Sequence, residues 1–421
     1  MVFYVCILVS GAVLAAVQTP GGETPDHRDT RRVVLQSPGG DLPFILQSQR
    51  TGDAVRAWIA NGSERIAVDV ASLDAGGIVL RFDHFDSRIQ TRFDTKSGAY
   101  VGQWVKRTGP SQWSRLACRI EPVTHHPARF WPPIDTAKWG ERSVAGRWSV
   151  RFSGSREPSV GMFRQTAGGR VEGTFLTTTG DYRFLAGDFD GTRLRLSCFD
   201  GAHAFLFIAK LDPHDQLSGD FWSRDNWHET WTARRDAHAA LPDAMELTHW
   251  TGSVDLDAIR FPDLDGKPRR LSDPEFAGRA RIIEIFGSWC PNCHDAARYL
   301  SELDDRYRGR GLSIVGLAFE LTGDFDRDAA QVRRYAERFN ITYPLLIAGI
   351  SDKSAASRAF PLLDRIRAYP TTIFMDAEGN VRAVHTGFSG PATGPEHRAL
   401  RARFENLIET MLSAPDQPHT P

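Results

Sequence analysis

Neither sign of charge is in excess, since the 421 residues carry 51 Lys and Arg against 52 Asp and Glu, a formal net charge of −1 at pH 7. Nothing in that balance suggests a surface built for nucleic acid or an anionic membrane, so a partner is expected to be met through shape. Beyond residues 1–17 no apolar run is long enough to span a bilayer, which excludes a membrane helix in the body of the chain. Cysteine is scarce: of 5 residues, Cys6, Cys118 and Cys198 stand alone and only Cys290 and Cys293 are close in sequence. A second C-x-x-C and any H-x-x-x-H are missing, so a structural zinc site lacks ligands. No metal and no cofactor is expected.

The length calls for two or three domains, each with its own core. Residues 1–17, MVFYVCILVSGAVLAAV, read as a signal peptide cut after Ala15 or Ala16, or as a retained anchor because the segment has no Lys or Arg. Cys6 falls too early in the run for a lipoprotein cysteine. Export would place the protein in a periplasmic or otherwise extracytoplasmic compartment, where thiol exchange has work to do. Residues 18–32 are polar and read as a flexible lead-in.

From 33 to 237 short segments such as "GGIVLRFDHFD", "GRWSVRFSG" and "AFLFIAK" alternate polar and apolar residues between Gly and Asp turns, so this region is expected to be all-β. It carries an internal repeat in which Gly77 falls on Gly191 and Phe85-Asp86 on Phe199-Asp200, with Trp113 and Trp231 each leading a strand. Two related β-meanders are implied, paired into one closed or sandwiched sheet, a barrel or a sandwich. The Pro-rich stretch between them is a connection, and the adjacent His125 and His126 within it read as solvated loop residues. Cys118 and Cys198 lie on separate strands, and whether they pair is open.

Residues 238–252 read as a linker. From 253 to 413 strand and helix alternate: "RIIEIF" and "LSIVGLAF" are continuous apolar strands, and helical spacing places Ala297, Leu300, Leu303 and Tyr307 on one face and Val332, Tyr335, Ala336 and Phe339 on another. "TTIFMD", "VRAVHTG" and a helix through Leu400, Phe404, Ile408 and Met411 close this α/β domain; residues 414–421 are a tail.

The chemistry is concentrated in "EIFGSWCPNCHDAARYL". Cys290, Cys293 and His294 spell C-x-x-C-H, the attachment motif of a c-type haem, while the same cysteines behind Trp289 spell a redox dithiol. The α/β setting favours the dithiol, because a c-type haem needs a small helical domain and a distal ligand, and Met375 lies inside a strand. Residues 253–413 resemble the thioredoxin superfamily, specifically exported thiol-disulfide reductases of the TlpA and ResA type. Four stretches carry the resemblance: "FPDLDGKPRRLSD", "RIIEIFGSWCPNC", "RAYPTTIFMDAEGNV" and the closing helix.

The resemblance implies a protein thiol-disulfide oxidoreductase acting on protein disulfides with a thiol electron donor; a reductase is expected, while the direction of electron flow follows from a potential that the sequence leaves open. Cys290 then caps a helix beginning at Pro291, where free N–H groups favour its thiolate and Pro lacks only an N–H that the first turn does not use. It attacks; Cys293, one turn in, resolves the mixed disulfide. Glu284, mid-strand, is expected to be desolvated and protonated near neutrality, matching the buried acid of thioredoxins. Pro370 after Tyr369 is implied to be cis and to offer backbone to an extended substrate, with Trp289 shielding the thiolate. Where ResA-type reductases carry an acid three residues after the second cysteine, this chain has Ala296, with Asp295 beside it. Two other readings remain: a haem-carrying electron-transfer protein, and a binding module in which the β-domain acts and the thioredoxin-like part is a scaffold.

Overall fold

A computed structural model describes residues 27–124, 128–135, 142–166, 168–276 and 279–413. The expected signal segment with Cys6, the pair His125 and His126, and the tail lie outside the described residues.

Alternation sets the front half. In the strand Trp113–Ile120, Ser114, Leu116, Cys118 and Ile120 point inward while the residues between them face outward. Eighteen such strands form two nine-stranded antiparallel sheets. The first runs from His27–Ser37 to Trp113–Ile120 in sequence. The second runs from Gly146–Phe152 to Trp227–Arg235, and the pairing of Ser159–Gln165 with Arg170–Thr177 closes it into a barrel with no free edge there.

The repeat is visible as matching meanders. Strands Gly77–Phe82, Ser87–Asp94, Ala99–Arg107 and Trp113–Ile120 correspond to Arg193–Phe199, Ala204–Leu211, Gln216–Ser223 and Trp227–Arg235. Phe85-Asp86 and Phe199-Asp200 stand at the first connection of each set. They do not share one sheet, contrary to expectation. The last strand of the first copy pairs with His27–Ser37, whereas the last strand of the second pairs with Gly146–Phe152. The sheets meet face to face, with Phe44 stacked on Phe199 at 4.4 Å and Ser197 Oγ donating to the Pro43 carbonyl at 2.6 Å.

Residues 27–32, expected within a flexible lead-in, begin the first strand instead. Arg32 explains this: its buried guanidinium bonds to Glu121 at 2.5 Å and to the Arg129 carbonyl at 2.8 Å, which ties a polar segment into the sheet. Cys118 and Cys198 are buried free thiols in different cores, so they do not pair.

The second half places five strands in the order Leu345–Ile350, Leu312–Glu320, Ala280–Phe286, Thr371–Met375 and Val381–Thr386. The first three are parallel and the last two antiparallel. Helices α1 (Pro291–Tyr307), α2 (Phe325–Phe339), α3 (Lys353–Ala359) and α4 (Pro395–Ser413) cover the sheet, and a hairpin of Arg260–Pro262 with Pro268–Arg270 precedes it. Helix α3 is absent from the sequence reading; its short run is started by Asp352, whose carboxylate accepts from the Ala355 N–H at 2.8 Å. Residues 238–252 are packed rather than free, with Thr386 N–H bonded to the Ala244 carbonyl at 2.9 Å and Trp250 bridged to Leu363.

The halves are locked by charge across an extensive seam. Arg327 on α2 reaches Asp86 at 2.5 Å, Arg338 pairs with Asp69, Arg147 with Glu396 at 2.8 Å, and Arg367 with Glu157. Deepest of all, Arg183 of the barrel pairs with Asp295 on α1 while also meeting Glu64 at 3.0 Å. No helix among the described residues is long and apolar enough to cross a membrane.

Candidate active site

The site is built where the central strand ends and α1 begins. Ala280–Phe286 is buried along its whole length, which fixes the following turn rigidly, and Cys290 then takes the N-cap of α1 with extended φ and ψ. Its Sγ accepts from the Cys293 N–H at 3.3 Å and lies 3.3 Å from the Tyr369 carbonyl oxygen. Cys290 is 7% exposed and Cys293 fully buried.

Two environments one helical turn apart split the thiols. Burial opposes ionisation of Cys290, but hydrogen bonds from the Cys293 thiol and from the N–H groups of Cys293 and Asn292, with the charge of Lys106, hold its pKa below the ordinary thiol value. Burial pushes Cys293 well above that value, and its hydrogen bond to Cys290 adds to the effect. Pro291 occupies the first helical position. Both cysteines are unpaired thiols in this structure.

Glu284 does not escape to water. It is 3% exposed, Thr372 Oγ1 donates to its Oε2 at 2.8 Å, and Oε1 has no partner among the described residues. Burial raises its pKa to about 8, so the carboxyl is protonated at neutral pH. The Tyr369–Pro370 peptide is cis and faces Cys290. Trp289 is half-buried, with Nε1 donating to the Phe319 carbonyl at 2.9 Å and its ring edge-on to Tyr369 at 5.4 Å. The structure therefore brings together all seven residues singled out from the sequence.

His294 faces away from the dithiol. Its Nε2 sits 2.7 Å from the Ser288 carbonyl, and the ring packs among Phe85, Phe339 and Tyr335 with centroids at 4.2, 4.9 and 5.2 Å. Burial holds its pKa well below the ordinary value. A porphyrin has no room beside that ring, so the geometry speaks against haem attachment through C-x-x-C-H.

The Redoxin family model matches residues 241–400. Thiol-disulfide oxidoreductase ResA of Geobacillus kaustophilus (strain HTA426) is 30% identical over 136 residues, 32% of this chain and 69% of that protein. This chain belongs to the ResA-type thiol-disulfide oxidoreductases of the thioredoxin superfamily. Thioredoxin-like protein YneN of Bacillus subtilis (strain 168) is 25% identical over 124 residues, 30% of this chain and 65% of that protein. A solved thiol:disulfide interchange protein of Chlorobium tepidum TLS shares 26% identity with a TM-score of 0.28, covering 37% of this chain and 92% of its own. These ResA-type likenesses concern the C-terminal part, and the enzyme is a protein thiol-disulfide oxidoreductase on that basis.

Several neighbours of the dithiol escaped sequence reasoning. Ser288 donates N–H and Oγ, both at 2.7 Å, to the fully buried Glu320, whose pKa burial raises to about 7. Glu320 ends an apolar strand, a signal the same desolvation argument used for Glu284 could have caught. Tyr335 Oη donates to the Cys293 carbonyl at 2.9 Å. Lys106 and the turn at Gly180 come from the β-domain, and nothing local marks them. Asp295, beside the position where ResA-type reductases carry an acid, is buried against Arg183.

Proposed function

We propose that the enzyme works outside the cytoplasm, exchanging its Cys-Pro-Asn-Cys dithiol with disulfides of protein substrates and drawing electrons from a thiol donor. Cys290 attacks, forming a mixed disulfide and releasing one substrate thiolate. Cys293 then attacks Cys290 Sγ, releasing the second substrate sulfur and leaving the Cys290–Cys293 disulfide. Glu284, protonated at rest, first gives its proton to solvent, and the carboxylate so formed accepts the proton that Cys293 loses as that thiol becomes the nucleophile. The Tyr369–Pro370 loop offers backbone to an extended substrate segment and Trp289 screens the thiolate. The β-domain positions a partner over this site. One observation carries the reading: the sulfur held at the N-cap of α1, beside the Tyr369 carbonyl, is the one whose ionisation is favoured, while its neighbour is sealed. The apolar run at residues 1–17 supports the location.

The test is trapping in cells. Cys293→Ser removes the resolving sulfur, so Cys290-linked mixed disulfides should accumulate on non-reducing gels, whereas Cys290→Ser should trap little. Trapping by Cys290→Ser alone would reverse the two roles.

A further inference from the structure

The front domain does more than sit beside the dithiol; it roofs it. A cavity of about 330 Å³ lies over Cys290, lined on one side by Trp289, Pro291 and Asn292 and on the other by residues of the β-domain, among them Lys106, His203 and Arg224. Its size is that of a small-ligand pocket. The described lining contains no Asp or Glu.

Lys106 is the unusual group. It is 6% exposed on the strand Ala99–Arg107, and among the described residues it forms no ion pair. Its Nζ lies 5.7 Å from the Phe85 ring centroid. The carboxylates whose charge reaches it are Asp200 and Asp86. Asp200 is committed to His203 at 3.0 Å, and Asp86 to Arg107 at 2.6 Å and Arg327 at 2.5 Å. A buried ammonium with no carboxylate paired to it is costly to maintain: burial together with Arg224 lowers its pKa to about 8, against the opposing pull of Asp200, the Cys290 sulfur and Asp86. Arg224 stands half-buried at the same wall, likewise without an ion pair among the described residues. Two cations facing one small chamber beside a reactive sulfur describe a receptor for an anion that also carries sulfur.

We infer that the chamber between the domains binds small carboxylate-bearing disulfides, with Lys106 and Arg224 holding the carboxylate and Cys290 attacking the disulfide bond. This rests on the assignment of Cys290 as attacking sulfur and adds a substrate class to the protein disulfides proposed above. For a disulfide RS–SR, Cys290 thiolate forms the Cys290–SR bond as the S–S bond breaks and RS⁻ leaves. Cys293 then closes the Cys290–Cys293 bond, expelling the second RS⁻. The dithiol loses two electrons and two protons, and the small disulfide gains them as two thiols. Run backwards, the same site lets a small acidic thiol recharge the enzyme.

The probe is 3,3′-dithiodipropionate, compared with its uncharged diamide of nearly equal size, each rate divided by that of the same disulfide with free mercaptoethanol. The full-length enzyme should prefer the dianion by about tenfold or more, the worth of one good charge-assisted contact. Lys106→Met should bring the ratio close to one. Because Lys106 is buried, Arg224→Gln at the half-buried position serves as a second variant and should lower the ratio as well. A ratio near one in the unmodified enzyme, no exchange with dithiodipropionate, or an unchanged ratio in Arg224→Gln overturns the inference. Reduction of insulin disulfides by the same sample reports separately whether the dithiol chemistry itself holds.

Discussion

Replacing Glu284 by glutamine tests the protonation state on which the proposed resolving step depends. A carboxyl whose folded-state pKa is raised binds its proton more tightly in the folded than in the unfolded chain. Between the ordinary value of 4.5 and about 8 the folded protein therefore holds the extra proton, and stability falls as pH rises through that window. Each pH unit across it removes about 1.4 kcal/mol, so by pH 8 the loss from this one group is on the order of 5 kcal/mol. Glutamine keeps the shape and cannot titrate. Its amide can also still accept from Thr372, which donates to Glu284 Oε2 at 2.8 Å. Urea unfolding of both proteins, with Cys290 and Cys293 replaced by serine in each, followed by tryptophan fluorescence from pH 5 to 9 isolates the group, because Glu284 is not among the groups that shift Glu320. The two stabilities should lie close together at pH 5, and the variant should gain steadily toward pH 8. A difference that stays flat across the range would show that Glu284 is ionised, or bonded in a way the fold does not reveal. With both cysteines kept, the same replacement should slow disulfide exchange near neutrality, because an amide cannot relay a proton to or from Cys293.

Iodoacetamide labelling of the reduced enzyme should modify Cys290 with a midpoint below the ordinary thiol value of 9.0 and leave Cys293 untouched until far above it; equal labelling of both would remove the distinction between them. Asp295→Ala breaks the buried contact between the halves at Arg183 and should cost about 3 kcal/mol in urea, toward the low end for such pairs because Glu64 still meets Arg183 at 3.0 Å. A loss under about 1 kcal/mol would mean that the pair does not hold the seam. Gly180→Ala forces a side chain onto a backbone with φ of +142° and brings its Cβ 1.9 Å from Asn292 Nδ2, between the two cysteines. It should cost about 1–3 kcal/mol and slow exchange, and an unchanged melting temperature and rate would show that the turn yields freely.

Read from the sequence alone, the redox machinery was legible because its parts are local. A continuous apolar strand, a cysteine at a helix start, proline at the first helical position and a second cysteine one turn on are all specified within Ala280–Cys293, and Glu284 announces itself as an acid in an apolar run. The meander repeat was legible for the same reason: period-two alternation and turn residues are written segment by segment. What the strands pair with is not local. The copies separated into two sheets because partners far away in sequence captured their edges. Lys106 reads on its strand as a solvated residue until α1 is laid against it, and Asp295 as an exposed helix position until Arg183 arrives from the barrel. Local pattern determined the Cys290–Cys293 dithiol and the fold that carries it; only the packing of two domains decided which charges face it, because burial and counter-ions are supplied by residues that no spacing in the chain connects.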